Sequence, residues 1–315
     1  MSQRLYESEI EQIALELLRD ENGYDVLPGP DLLEGANPER VYGEVILQNR
    51  LRAAIDRLNP HIPADAREDA FRKALRSPAL TVIDNNEAFH RLLTEGVDVK
   101  YSVGEGKSRT DKVRLVDFSE KGAERNEFLA VNQYTVVENN TNKRPDIVLF
   151  INGLPLVVME LKNATDENAD VQAAFHQLQT YQQVIPSLFT TNAFLVLSDG
   201  WFAKAGTLSS DYSRFMEWKS VDGGRAVDSE REPELEPLIK GLLNKRTLLD
   251  VIRHFIVFEK TKEKTVKKVA AYHQYFAVNK AIVSTIRASA DASGRFVAEH
   301  PSVYGLPSVE QQPQG

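Results

Sequence analysis

The stretch from Arg144 to Lys162, reading Arg-Pro-Asp-Ile-Val-Leu-Phe-Ile-Asn-Gly-Leu-Pro-Leu-Val-Val-Met-Glu-Leu-Lys, constrains the fold more than any other. Two apolar runs flank Asn152-Gly153, a pair that takes the positive φ values of a tight β-hairpin turn. The runs are almost continuously apolar, so both faces of the hairpin must be covered. Yet Asp146 opens the first run, and Glu160 and Lys162 close the second. Charges at the ends of buried strands are costly unless they are paired or hold a metal.

Register decides whether the three charges meet. Glu160 and Lys162 are two apart and share a face. A strict two-residue turn sets Asp146 opposite Met159 and turns it away from Glu160. A three-residue turn, Ile151-Asn152-Gly153, sets it opposite Val158 and on the common face. The expectation is therefore an odd-length turn with a bulge at Gly153, or a distortion near Asp146. Two carboxylates on one face offer hard oxygen ligands for Mg²⁺, with the Leu161 carbonyl as a further ligand. Lys162 is placed to orient or help deprotonate an attacking water and to offset charge on a phosphorane. The alternative is an aspartate that caps its strand beside a simple Glu160–Lys162 pair.

Helical spacing is read over 3–19, 41–58 and 65–75, and again over 167–185 and 238–258. Strand patterns cover 97–101, 113–118, 128–137, the hairpin itself and 193–198. The charged segment 221–237, with its glycines and prolines, reads as a mobile connection. Past Lys260 comes a basic run, then a helix to about Arg287, and the polar end 305–315 reads as frayed. The order of elements points to an α/β or α+β core with a C-terminal appendage.

The chain has 315 residues, enough for about two domains. It lacks cysteine, which excludes disulfides, thiolate zinc sites and cysteine nucleophiles. With no apolar signal core at the start and no apolar run near membrane length, the reading is a cytoplasmic protein without membrane contact. The net charge is −8, from 38 basic against 46 acidic residues. An autonomous DNA binder is usually basic. If DNA is the substrate, contact must be confined to a local groove, or other subunits must supply most of the affinity. The six histidines stand at no metal-ligand spacing; His176, next to Gln177, is the one placed to approach the site.

Asp146 followed by Glu160-Leu-Lys162 resembles the PD-(D/E)xK nuclease motif, Pro145 included. The wider wording resembles the N-terminal domain of the restriction (R, or HsdR) subunit of type I restriction–modification systems. It includes Leu93-Thr-Glu-Gly-Val-Asp-Val, Asn126-Glu-Phe-Leu-Ala-Val-Asn-Gln-Tyr and Ser198-Asp-Gly200, and covers nearly all of residues 1–258. The resemblance implies a mixed β-sheet core flanked by helices and Mg²⁺-dependent cleavage of double-stranded DNA. Asp146, Glu160, Lys162, Gln177 and Tyr181 are then the catalytic set. The pair Gln177 and Tyr181 matches the family's Gln-x-x-x-Tyr signature, and spacing of four puts both on one helical face. An acidic residue of the first helix touches the metal site in the family; Glu11 matches first, Glu7 second. Lys143 and Arg144 are placed to meet phosphates, or are solvated loop charges. Methylation and specificity subunits are the implied partners.

Residues after 259 resemble the linker into that subunit's first motor domain. Gln274 matches a glutamine that often reads adenine there, but no phosphate loop follows it. The expectation is a fragment or truncated product, without ATP hydrolysis of its own; ATP belongs to the full-length enzyme. The competing expectation is a non-catalytic docking module that keeps the nuclease fold.

Overall fold

The computed structural model describes residues 7–34, 38–104, 106–162, 171–262 and 264–293. The chain begins with α1 (Glu7–Glu16), β1 (Asp25–Pro28), α2 (Gln48–Leu58), α3 (Ala64–Ala74) and α4 (Val82–Glu95). A ribbon of β2 (Val97–Gly104) and β3 (Lys107–Val113) follows, then the short α5 (Gly122–Arg125) and β4 (Phe128–Asn132). Next come a small ribbon, β5 (Val136–Glu138) with β6 (Thr141–Lys143), and the central hairpin β7 (Ile147–Ile151) and β8 (Leu154–Leu161). After α6 (Val171–Val184) the chain forms β9 (Phe194–Ser198), β10 (Ala203–Gly206), β11 (Met216–Glu217), α7 (Leu235–Pro237) and α8 (Lys245–His254). It closes with a ribbon, β12 (Ile256–Lys260) and β13 (Thr265–Val269), and with α9 (Tyr272–Ser293).

Seven strands make one mixed sheet in the order β1-β4-β7-β8-β9-β10-β11. β7 and β8 lie at its centre and every residue of both is buried. Successive side chains point to opposite faces, so the hairpin feeds two cores. Ile147, Leu149 and Met159 pack with Ile10 and Ala14 of α1 on one face. Val148, Phe150 and Val158 pack with Ala174, Leu178 and Tyr181 of α6 on the other. This is the α/β class expected, with helices on both faces. Among the described residues no helix is long and apolar enough to cross a membrane.

The turn corrects the expected register. Asn152 (φ 52°) and Gly153 (φ 79°) form a two-residue turn closed by the pair Ile151–Leu154. Gly153 is required there, because a Cβ would sit 2.4 Å from the Leu47 carbonyl oxygen. The extra residue lies further along β8: Phe150 faces Pro155, but Leu149 already faces Val157. Proline has no N–H for the ladder, so it falls naturally at such a bulge. Neighbours on the other edge satisfy the bulge carbonyls: Thr191 Oγ1 donates to Pro155 O (2.8 Å), and Ala193 N donates to Leu156 O (2.6 Å). From there Ile147 faces Met159, so one step on Asp146 faces Glu160. The carboxylates share a face, through a bulge at Leu156 rather than an odd turn at Gly153.

Other segments also depart from expectation. Residues 41–47 are not helical, and helix begins at Gln48. Strand β3 ends at Val113, so 114–118 is irregular. The segment 221–237 is pinned rather than loose. Glu234 is buried; it accepts from Ala203 N (3.1 Å) and Ser229 Oγ (2.5 Å), and its own N–H donates to Trp201 O (2.7 Å). The helix read over 238–258 gives way at Ile256 to β12, so the boundary expected at 258/259 falls inside a strand. The first positions of the helices read from 3 and from 167, and the end 305–315, lie outside the described residues.

The basic run contributes to the β12–β13 ribbon, with Thr265–Val269 forming β13. Lys267 is 1% exposed. Its Nζ donates to Asn86 Oδ1 (2.8 Å) and to Asn192 O (2.6 Å), and burial pushes its pKa well below the usual lysine value. This side chain latches the ribbon to α4 and to the loop before β9. Lys267→Ala would leave the buried Asn86 Oδ1 without its donor, take one of two donors from Asn192 O and open a void along the lost stem, so a loss of about 3 kcal/mol is expected. Urea denaturation measures it; a loss under about 1 kcal/mol would mean that the latch does not hold the ribbon.

Candidate active site

The site forms where the C-terminal ends of parallel β8 and β9 meet the start of β7. Backbone bonds fix each position. Gln133 N donates to Asp146 O (2.7 Å) and Tyr134 N to Pro145 O (3.1 Å), which holds the entry to β7. Lys162 N donates to Ser198 O (2.8 Å), which extends the pairing of β8 with β9.

Asp146 is buried, and its Oδ2 accepts from Leu161 N (2.7 Å). Burial pushes its pKa up to about 6, against the Leu161 N–H and the Lys162 charge, which lower it. Glu160 is fully buried. Its Oε1 accepts from Lys162 Nζ (2.8 Å), while its Oε2 has no hydrogen-bond partner among the described residues. Burial, and then the Asp146 charge, push Glu160 up to about 8. The Lys162 ammonium also donates to Leu161 O (2.9 Å). Burial lowers its pKa, but Glu160 and Asp146 outweigh that, and it ends above the usual lysine value. Two proton-hungry carboxylates beside a firmly protonated lysine form an anionic cluster with one cation too few.

α6 packs on β8 and β9 and brings Gln177 and Tyr181 to the same face. Gln177 Nε2 donates to Tyr181 Oη (2.5 Å). Burial and the Glu160 charge push the phenol far above its usual pKa, so its proton stays on the oxygen. A cleft of about 710 Å³ opens beside this wall, lined among others by Lys143, Arg144 and His176.

Glu11 does not join the carboxylate pair. Its Oε1 accepts from Asn132 Nδ2 (2.7 Å) and its Oε2 from Gln133 Nε2 (2.5 Å), so both oxygens are engaged at the end of β4. Among the described residues no three His, Cys, Asp or Glu side chains gather as metal ligands. The exposed Glu7 is the α1 carboxylate whose charge reaches Asp146, Glu160 and Lys162 together; that of Glu11 reaches Asp146. Gln274 is elsewhere, on the first turn of α9, where its Oε1 accepts from Ala271 N (3.0 Å). The supports Asn132 and Gln133 had no role in the sequence reading, although both lie within Asn126-Glu-Phe-Leu-Ala-Val-Asn-Gln-Tyr134. Gln133 takes φ 54°, a backbone state no pattern of apolar residues announces.

A hard divalent cation fits the residues present. Mg²⁺ commonly takes one or two carboxylates and keeps several waters. Here two carboxylates adjoin, one with a buried oxygen that bonds no described residue, and the Leu161 carbonyl has a second lone pair.

Residues 4–214 match the family described as type I restriction enzyme R protein N terminus. The chain is 41% identical over 296 residues to the type I restriction enzyme HindI endonuclease subunit of Haemophilus influenzae, covering 92% of this chain and 28% of that protein. It is 30% identical over 302 residues to the putative MjaIXP endonuclease subunit of Methanocaldococcus jannaschii, covering 88% and 27%. The type I restriction enzyme EcoprrI endonuclease subunit of Escherichia coli aligns over 163 residues at 28% identity, 49% of this chain and 48% of that one. The chain thus spans little more than a quarter of the length of the first two relatives. A mixed sheet whose central hairpin carries Asp146, Glu160 and Lys162 is the PD-(D/E)xK arrangement, and the chain belongs to the family of type I restriction enzyme R protein N-terminal regions.

Proposed function

We propose that this chain is the nuclease part of a type I restriction enzyme and hydrolyses phosphodiester bonds of double-stranded DNA with Mg²⁺. The observation that carries the reading is Glu160 Oε2: a buried oxygen without a hydrogen-bond partner among the described residues, on a carboxylate facing a second carboxylate across the hairpin. A fold that needed only a structural ion pair would satisfy both oxygens, because an unpaired buried polar atom costs about 1–3 kcal/mol.

Asp146, Glu160 and the Leu161 carbonyl would hold the ion. Bound there, it would supply a Lewis acid for the phosphate and lower the pKa of the attacking water. The chain's own groups do the remaining work. Lys162 stays protonated and offers a fixed positive charge to the phosphorane oxygens. By holding Glu160 Oε1 it leaves Oε2 free to accept. Tyr181 keeps its proton and, with Gln177 fixing its hydroxyl, braces the side of the site that α6 forms. None of these residues reads a base. Sequence recognition is assigned to the methylation and specificity subunits, in line with the −8 charge, and the setting is the cytoplasm.

The test has a readout besides cutting. Titrated with Mn²⁺ and followed by calorimetry, the chain should bind the ion at a site that Asp146→Asn or Glu160→Gln weakens at least tenfold. Equal affinity in all three proteins would remove the metal from these residues and with it the proposed chemistry.

A further inference from the structure

We propose that the cleft beside the carboxylate pair is a phosphate track that seats the DNA strand next to the bond being cut. Asn142, Lys143, Arg144, His176 and Thr180 are its contact residues. This rests on the nuclease reading and adds to it a second contact region, with the part of the DNA that fills it.

Charge is the first argument. The chain as a whole is acidic, yet among the described residues no Asp or Glu lines this cleft. Lys143 is half-buried and Arg144 exposed, and neither forms an ion pair with a described residue. Elsewhere the partly buried guanidinium of Arg50 is taken by Glu39 and Glu127, and that of Arg67 by Asp56. Two unneutralised cations side by side repel each other, an arrangement that favours a polyanion.

Placement is the second. Tyr181 is a wall of the cleft and also feels the Glu160 charge, so the cleft and the carboxylate pair adjoin. Arg144 stands two residues before Asp146, within about 7 Å along the chain. Nucleotides of one strand rise about 3.4 Å each along the duplex axis, so a phosphate one or two steps from the scissile one falls at Arg144. The segment is held firmly, since Tyr134 N bonds Pro145 O and β6 pairs Lys143 with Val136. The polar edges are supplied by Asn142 and by the exposed face of α6, where His176 and Thr180 lie four apart. Hydroxyl, amide and cationic groups of this kind position a duplex by its backbone without reading sequence.

The experiment measures binding of the full chain to a fluorescent 30-base-pair duplex by anisotropy over a salt series, with Ca²⁺ in place of Mg²⁺. The double variant Lys143→Ala/Arg144→Ala should bind roughly tenfold more weakly, with a salt slope smaller by about 2. Thr180→Glu, which puts a carboxylate on the exposed rim, should weaken binding likewise. Lys264→Ala, on the exposed tip of a distant ribbon, should change neither quantity. If the double variant and Thr180→Glu keep the wild-type affinity and slope, or if the wild-type chain binds no duplex at the lowest salt, the track is overturned. The nuclease reading stands or falls separately on Mn²⁺ binding at Asp146 and Glu160.

Discussion

Lys162→Ala, introduced into the full-length subunit and assembled with its partner subunits, should lower DNA cleavage by on the order of 10²–10³-fold or more while the protein stays folded. The lower bound comes from what one preorganised charge or donor is worth to an anionic transition state. A second effect adds to it. Lys162 Nζ donates to Glu160 Oε1, so the alanine variant leaves that carboxyl with its charge still less favoured. The glutamate should then ionise at higher pH than its present value of about 8. The residual activity of the variant should accordingly rise with pH more steeply than wild type. Lys162→Arg tests the geometry: it keeps the charge, but its planar fork does not reproduce the two contacts an ammonium makes to Glu160 Oε1 and Leu161 O. Cleavage within threefold of wild type in Lys162→Ala would remove the lysine from the chemistry.

How far this site could be read from the residues depends on which forces are local. The hairpin was legible because Asn152-Gly153 sets a backbone state that few pairs adopt, and Asn152 takes φ 52° as required. Convergence of Asp146 and Glu160 was legible as a demand, since isolated charges do not end buried strands, but its device was misplaced. In strands buried on both faces the apolar pattern has no phase, so register could shift at the turn or anywhere along β8. The signal that decided it was Pro155, which cannot donate to the ladder. The helix Val82–Glu95 received no assignment although Thr81 and Asp84 carry an N-terminal capping signal, and the Thr81 side chain does accept from Asp84 N. Lys267 was illegible on principle. Its burial depends on Asn86 and Asn192, 181 and 75 residues away, and nothing local distinguishes it from the exposed lysine next to it. Glu11 shows the same limit: its place on α1 was readable, but its capture by Asn132 and Gln133 was not.

Glu160→Gln should make the metal-free chain more stable at alkaline pH, by a few kcal/mol. The sign follows from the direction of the shift. Glu160 has its pKa raised in the fold, from the ordinary 4.5 to about 8. A folded-state pKa raised in this way means that the native protein holds a proton the unfolded chain has released. The stability it contributes is fully present below about 4.5 and is lost progressively as pH rises to about 8. Each tenfold change in proton affinity is worth about 1.4 kcal/mol. Attraction to Lys162 is already included in that value, because it lowers the pKa against burial and the Asp146 charge. Glutamine keeps the shape and stays neutral throughout, so the two proteins should unfold alike near pH 4 and diverge above pH 6 in EDTA. Divalent metal should close or reverse the gap, because binding to the native state stabilises wild type by mass action and gives the variant little. Urea denaturation at four or five pH values, with EDTA and then with Mg²⁺, measures both arms. Curves that coincide from pH 5 to 9 without metal would mean that Glu160 is not held in a buried, crowded anionic site, and the site would lose the strain that a bound cation is proposed to relieve.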